Sequence, residues 1–323
     1  MLETERKLNN KKILITGGAG FLGSNLTRRL IEDNEITLFI KPKTDLSRIK
    51  DILDKFEIIE GDLLDKELVK EVLKDKNYLF HFAWQTDLKK SMEKPLEDVR
   101  NDIIGLLTIL ECCKEANKNI KIIFASTVTV IGIPEKIPSN ELALELPLSV
   151  YDANKLLAEK YLKVYYENFN IKFCVLRLAN VFGEYQKIDN PNRGVLNFMI
   201  GKALRGEPLT VYGKGDFIRD YSYVGNFIDA FIIAAESENT NGKVYVLGSG
   251  EGKTFLEVVE KIKKIIEEKG KKVEIQFNDV ETHKINKRDF VADSTRFRND
   301  TRWIPRISFE EGLRKTIEFY WDN

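Results

Sequence analysis

The stretch YDANK at 151–155 sets a phenol and an amine four residues apart. On a helix that spacing turns Tyr151 and Lys155 toward one face and one space. An ammonium beside a phenol favours phenolate, which draws a tyrosine down from its ordinary pKa of ~10 toward the range of a general acid or base. Far upstream, TGGAGFLG carries Gly17, Gly20 and Gly23 at three-residue intervals between an apolar run and a helical one. In such a turn Gly17 takes a backbone conformation closed to other residues, Gly20 lets a phosphate approach and Gly23 lets helix pack close on strand. The helix start supplies oriented N–H donors. The two motifs together describe proton transfer beside a bound dinucleotide. Seventeen residues after Gly23, where many dinucleotide folds place an acid to hold the adenosine ribose, stand Ile40 and then Lys41. Ile40 accepts no hydrogen bond, whereas Lys41, Lys43 and Arg48 could surround a 2′-phosphate or be ordinary solvated loop charges.

Such groups need a rigid frame. The first half of the chain alternates the apolar runs KILIT, ITLFI, FEIIEGD, YLFHFA, KIIFAS and KFCVLRLA with helical stretches near 20–32, 46–53, 65–74, 95–117 and 150–169. Six nearly unbroken apolar runs with helices between them predict an α/β fold, a Rossmann-type doubly wound parallel sheet covered on both faces. After Asn180 the pattern loosens into VFGEYQKIDNPNRG, and a helix at 194–205, the strand LTVYG and a Lys/Glu-rich amphipathic helix at 257–272 follow. That region is expected to form a smaller C-terminal substrate-binding domain. The apolar YSYVGNFIDAFIIAAE reads as packing back on the first domain. The expected division is therefore 11–180 with a returning segment 217–247 for the cofactor, and 181–216 with 248–323 for the substrate.

Of 323 residues 43% are apolar, enough for a sizeable core. Lysines plus arginines equal aspartates plus glutamates, 51 each, so no net field draws the chain to nucleic acid or an anionic membrane, and neither is an expected partner. Cys112, Cys113 and Cys174 lack metal-ligand spacing and read as buried thiols of a reducing compartment. The N-terminus lacks the apolar core of a signal peptide, and no apolar run reaches the ~18 residues of a membrane helix, so the expected location is cytoplasmic. His81 reads as a core histidine in an apolar strand. Neither it nor His283 has metal-ligand companions, and no metal is expected.

The G-x-x-G-x-x-G spacing combined with YDANK resembles the extended short-chain dehydrogenase/reductase family, in the epimerase/dehydratase branch that acts on nucleotide sugars. EGDLLD, HFA at 81–83, RLANVFG at 177–183, RDYSYV at 219–224 and the terminal FEEGLRKTIEFY carry the resemblance, in order, over nearly the whole chain. The resemblance implies that Gly17, Gly20, Phe21, Leu22 and Gly23 seat the cofactor, with Asp62 on the adenine amine beside Leu63, and Phe82 and Ala83 along the cofactor. Lys155 would hold the nicotinamide ribose. By the family pattern FASTVTVIG, Thr127 takes the hydroxyl role on the reacting oxygen, with Ser126 its neighbour, so that Thr127, Tyr151 and Lys155 are the expected catalytic set.

On the substrate side the resemblance implies Asn180 and Arg219 at the diphosphate, Asn197 and Val211 near the base, and Lys287 or Arg288 in place of a family arginine whose matching position holds Asn286. YVGN at 223–226 replaces the family's paired acids. Dehydratases of this kind carry Asp and Glu directly after the hydroxyl residue, where this chain has Val128 and Thr129. Neither is a strong acid or base, so the implied reaction is reversible hydride transfer at sugar C4. An NDP-sugar 4-epimerase comes first, an NDP-hexose or NDP-heptose 4-dehydrogenase or 4-ketoreductase next. A non-catalytic dinucleotide sensor would not need the intact set. Family habit leans the cofactor to NAD, with NADP almost balanced. The resemblance also implies a homodimer joined through helices 95–117 and 150–169, with Ile103, Leu106, Leu107 and Leu110 on one and Leu157, Tyr161 and Val164 on the other.

Overall fold

A computed structural model describes residues 8–279 and 288–321. Six runs form strands: β1 (Lys12–Thr16), β2 (Glu35–Ile40), β3 (Glu57–Glu60), β4 (Tyr78–His81), β5 (Lys121–Thr127) and β6 (Lys172–Leu178). After β7 (Asn180–Phe182), β8 (Leu209–Tyr212) and β9 (Ile218–Tyr223) comes β10 (Lys243–Leu247), which adds a seventh strand parallel to β6. The sheet order is β10-β6-β5-β4-β1-β2-β3, and every pairing is parallel. Every residue of β5 is buried, as a central strand covered on both faces requires. The strand order reverses between β1 and β4, which opens a crevice at their carboxyl ends.

The helices differ from expectation in two places. The stretch 46–53 forms successive tight turns, because the Ile49 and Ile52 amides each reach back three residues, and only a 3₁₀ turn at Leu53–Lys55 follows. The long helix expected at 95–117 is broken: Pro95–Asp98 is α, Val99–Ile104 is a π turn and Gly105–Ala116 is α again. A π turn rotates the face that follows it. Ile103, Leu106 and Leu110 consequently face the molecule's own core, and the exposed apolar residues of this region are Leu96, Val99 and Ile104. The dimer stripe expected on Ile103, Leu106 and Leu110 is thus corrected.

The helix Val150–Phe169 starts on Ser149, whose hydroxyl accepts the Asp152 amide, and stops at Asn170 in the left-handed conformation. Helix Val224–Glu236 buries Phe227, Phe231 and Ala234 in the same apolar cluster as Ile13 and Ile123 of the main sheet. Two small sheets lie beyond. In one, β9 joins β7 to β11 (Gly252–Thr254), and in the other β8 pairs with β12 (Ile275–Asn278). They share a separate core that includes Leu196, Ile200, Val211 and Ile262. The three cysteines are buried free thiols. Among the described residues no helix is long and apolar enough to cross a membrane.

Candidate active site

A cavity of about 760 Å³ occupies the crevice. At its floor the Thr16 hydroxyl stands 2.7 Å from His81 Nδ1 and accepts the Ala83 amide at 3.3 Å, joining the ends of β1 and β4. Burial pushes the His81 imidazole down to about 3, so it is a neutral packing group, as its place in an apolar strand suggested. Gly17 follows with φ +70, and a Cβ there would lie 2.7 Å from Ala83 N and 2.8 Å from the Phe82 carbonyl carbon. Only glycine meets both demands. Helix Phe21–Leu30 begins on Gly20 without a side-chain cap, and Gly20, Phe21, Leu22 and Gly23 line the cavity. Its first amides therefore face the cavity without a side chain to satisfy them, and an anion is the partner such donors suit. The residues present fit a dinucleotide pyrophosphate.

At the far end Gly61 and Leu63 line the cavity, while Asp62 is exposed and its carboxylate accepts the Leu64 amide at 3.0 Å. That bond closes the Asp62 turn through one carboxylate oxygen, and the other oxygen is the one an adenine amine could meet. Ile40 is buried. Lys41 lines the cavity mouth and donates to Asn101 Oδ1 at 3.3 Å, and Arg48 Nε donates to the Tyr185 carbonyl at 2.6 Å. Lys43 is exposed and outside the lining.

Thr127, Tyr151 and Lys155 line the same cavity as the glycine turn. Thr127 ends β5, and its hydroxyl accepts the Thr129 amide at 3.2 Å, capping the 3₁₀ turn Val128–Ile131. Lys155 is buried, donates to the Ala125 carbonyl at 2.6 Å and lies 4.0 Å from the centre of the Trp84 ring and 4.5 Å from that of Phe124. Burial lowers the ammonium, against the pull of the Asp102 and Glu159 carboxylates. The Tyr151 phenol is pushed well up, first by burial and then by Asp152 and Asp102, with Arg288 the opposing cation. The expected lowering of the phenol by a neighbouring ammonium is thus outweighed by burial and the carboxylates. The Lys155 ammonium is committed to the Ala125 carbonyl and the two rings.

The substrate-side residues divide. Ser126 touches the cavity, but its hydroxyl donates to Glu159, itself paired with buried Arg177 at 2.6 Å, so the group is spent on a core ion pair. Asn197 is fully buried and bonds both the N–H and the carbonyl of Gly183, and Val211 is a core side chain. Both complete the second core and lie outside the cavity lining. Asn180 is exposed at the start of β7. Arg219 and Arg288 are both buried; burial, with Arg288 adding to it, pulls Arg219 down to about 10. Neither lines the cavity: Arg219 donates to the Ile218 carbonyl at 3.1 Å and Arg288 stands 3.8 Å from Asp152. The alternatives Asn286 and Lys287, like His283, lie outside the described residues. The departure at YVGN has a structural use: Asn226 accepts the Arg306 and Ile307 amides, both at 3.0 Å, fastening the C-terminal segment.

Sequence reasoning missed Trp84 and Asp102. Trp84 directly follows HFA, and its ring over Lys155 appears only when β4 and the helix are brought together. Asp102 was hidden inside a stretch read as regular helix. The π turn carries it to the cavity wall, where it accepts the Gln85 amide at 3.2 Å and burial raises its carboxyl.

A doubly wound parallel sheet with a glycine turn at its switch point and a Tyr–Lys pair over the same cavity defines a nicotinamide-dependent enzyme of the short-chain dehydrogenase type. Residues 13–248 match the NAD dependent epimerase/dehydratase family, and the chain belongs to it. Its cofactor is NAD. A putative UDP-glucose 4-epimerase of Methanocaldococcus jannaschii is 30% identical over 96% of this chain and 99% of its own length. Among solved structures, a UDP-N-acetylglucosamine 4-epimerase from Methanobrevibacter ruminantium in complex with UDP-N-acetylmuramic acid is 30% identical with a TM-score of 0.89, covering 98% of this chain and 99% of that one. The UDP-glucose 4-epimerase of Thermus thermophilus in complex with NAD is 29% identical with a TM-score of 0.83, covering 96% and 98%.

Proposed function

We propose that the protein is an NDP-sugar 4-epimerase, with UDP-sugars the first substrates to test. The observation that carries this reading is that one cavity is lined both by the Gly17–Gly23 turn and by Thr127, Tyr151 and Lys155. Val128 and Thr129 in place of acids speak against dehydration, and epimerase relatives that cover 96% and 98% of the chain support the same choice. Bound NAD supplies the acceptor, and then the donor, of a hydride at sugar C4. The chain's own residues handle the proton and the position of the sugar. Tyr151 takes the proton of the C4 hydroxyl and returns it, Thr127 holds the reacting oxygen, and Lys155 holds the ribose beside them. Arg219 and Arg288 hold the diphosphate, leaving the sugar able to present either face once C4 is a ketone.

In this reading residues 11–180 with the returning 217–247 serve the cofactor, and 181–216 with 248–323 serve the nucleotide sugar. The protein works in the cytoplasm as a homodimer. Leu96 and Ile104, together with Leu157 and Val164 on the helix Val150–Phe169, expose apolar surface that a second copy would cover. The test is a single-turnover measurement of nicotinamide absorbance on mixing with UDP-, GDP- and CDP-sugars. Tyr151→Phe keeps the ring while deleting the proton-transferring group, and should lose ~10²- to 10⁴-fold in rate with NAD still bound. Turnover by this variant at the wild-type rate would sink the assignment.

A further inference from the structure

Thr129, set aside by the sequence as neither acid nor base, stands in a chain of contacts that leads away from the reacting oxygen. Its Oγ1 is 2.9 Å from Thr127 Oγ1 and donates to Asp152 Oδ1. Asp152 is fully buried in the first turn of the helix that carries Tyr151 and Lys155. Its second oxygen, Oδ2, makes no hydrogen bond and lies 3.8 Å from Arg288 Nη1, which likewise makes none. The directions of these bonds follow from counting hydrogens. A carboxylate only accepts, so the single hydroxyl hydrogen of Thr129 is spent on Asp152. The contact between the two threonines must then be donated by Thr127. Thr127 also accepts the Thr129 amide, which leaves it one lone pair. Thr127 and Thr129 both line the cavity, so a sugar hydroxyl arriving there meets Thr127 as an acceptor.

We propose that Thr127, Thr129 and Asp152 form a proton path from the reacting sugar oxygen to a buried carboxylate, a second route beside Tyr151. The step balances. As the C4–H bond gives up its hydride to the acceptor that NAD supplies, the O–H bond breaks and the C=O bond forms. The sugar proton passes to Thr127 Oγ1, the proton of Thr127 to Thr129 Oγ1, and that of Thr129 to Asp152 Oδ1. Both threonines end as hydroxyls and Asp152 as a carboxylic acid, and return of hydride to the ketone runs the path backward. Arg288 Nη1 faces Asp152 Oδ2 at 3.8 Å, and burial together with Asp152 pushes the Tyr151 phenol well above its ordinary value. The inference rests on the reading of Thr127 as the residue at the reacting oxygen.

The experiment compares residual single-turnover rates in the Tyr151→Phe background. Thr129→Val keeps the shape and cuts the path. Asp152→Asn can still accept from Thr129 but cannot take the proton. The two double variants should each be at least about tenfold slower than Tyr151→Phe alone, and Thr129→Ser in the same background should restore its rate. Calorimetry with UDP supplies a readout apart from turnover: Thr129→Val leaves the Asp152–Arg288 pair in place and should bind UDP within about twofold of its parent. Double variants as fast as Tyr151→Phe would overturn the path while leaving the epimerase reading intact, and a Thr129→Val protein that no longer binds UDP would show a merely structural role. A wild-type enzyme that transfers hydride to or from no sugar nucleotide would remove both.

Discussion

In the proposed reading the cofactor half and the substrate half each hold a diphosphate, with different parts of the chain. In the first, eight consecutive residues, 16–23, form a turn whose backbone amides face the cavity, and the turn itself contains no cation. In the second, the charge is carried by Arg219 and Arg288, almost seventy residues apart in sequence. They meet because the segment after 287 is stitched onto β9: Phe290 N donates to the Ile218 carbonyl at 3.0 Å and Ile218 N to the Asp289 carboxylate at 2.7 Å. Fully buried Asp220 completes the seam by accepting the Ser249 and Gly250 amides at 2.9 Å and the Ala292 amide at 3.2 Å. A backbone site is specified by conformation, and a side-chain site by which distant strands are brought together. The two should therefore fail in different ways.

The largest effect is expected in the backbone site. Gly17→Ala must place a Cβ against the Phe82–Ala83 peptide and also hold an L residue at φ +70. Left-handed backbone costs ~1 to 2 kcal/mol, and overpacking a further ~1 to 3 kcal/mol. Thermal melts with and without NAD should show a lower Tm and no stabilisation by the cofactor. A variant that melts normally and is still stabilised by NAD would mean the turn is looser than its contacts indicate.

The side-chain site should break more selectively. Arg219→Met keeps much of the buried volume while removing one guanidinium, so it should weaken UDP-sugar binding by ~1.5 to 3 kcal/mol, the scale of a charged hydrogen bond, and leave NAD affinity unchanged. Calorimetry with UDP and with NAD on the same protein separates the two. Equal losses for both ligands would erase the distinction between the halves.

The same contrast explains what could be read from the sequence. The glycine turn, the six leading strands and the Tyr151–Lys155 pair are local patterns, in which periodicity and spacing determine the geometry. The seventh strand, β10, is five residues long and acquires its meaning only by pairing with β6, some seventy positions earlier. The π turn at Val99–Ile104 inserts no signal that helical periodicity would reveal, yet it turns Asp102 to the cavity and Ile103 to the core. Asn197 and Ser126 have the right chemistry for ligand contacts, and in the fold they also bond the carbonyl of Gly183 and the carboxylate of Glu159. Nothing within a few residues of either could have shown those partners.

The smallest effect is expected at Lys41, on the border between the two styles of recognition, where a side chain stands at the mouth of the backbone site. Its Nζ donates to the exposed amide oxygen of Asn101, and a single exposed bond of this kind contributes little. Ile40 beside it is buried and its side chain cannot bind a ribose hydroxyl, so hold on the adenosine end falls to other lining groups, among them Asp45, Arg48, Gly61 and Leu63. Lys41→Ala should therefore change NAD affinity by less than ~0.5 kcal/mol, and NADP affinity by no more. Titrating both cofactors into both proteins at low ionic strength, where a phosphate contact would be most visible, gives the comparison. A loss of ~1 to 3 kcal/mol for NADP alone would place Lys41 on the 2′-phosphate and give the cofactor half a charged contact of the kind that otherwise marks the substrate half.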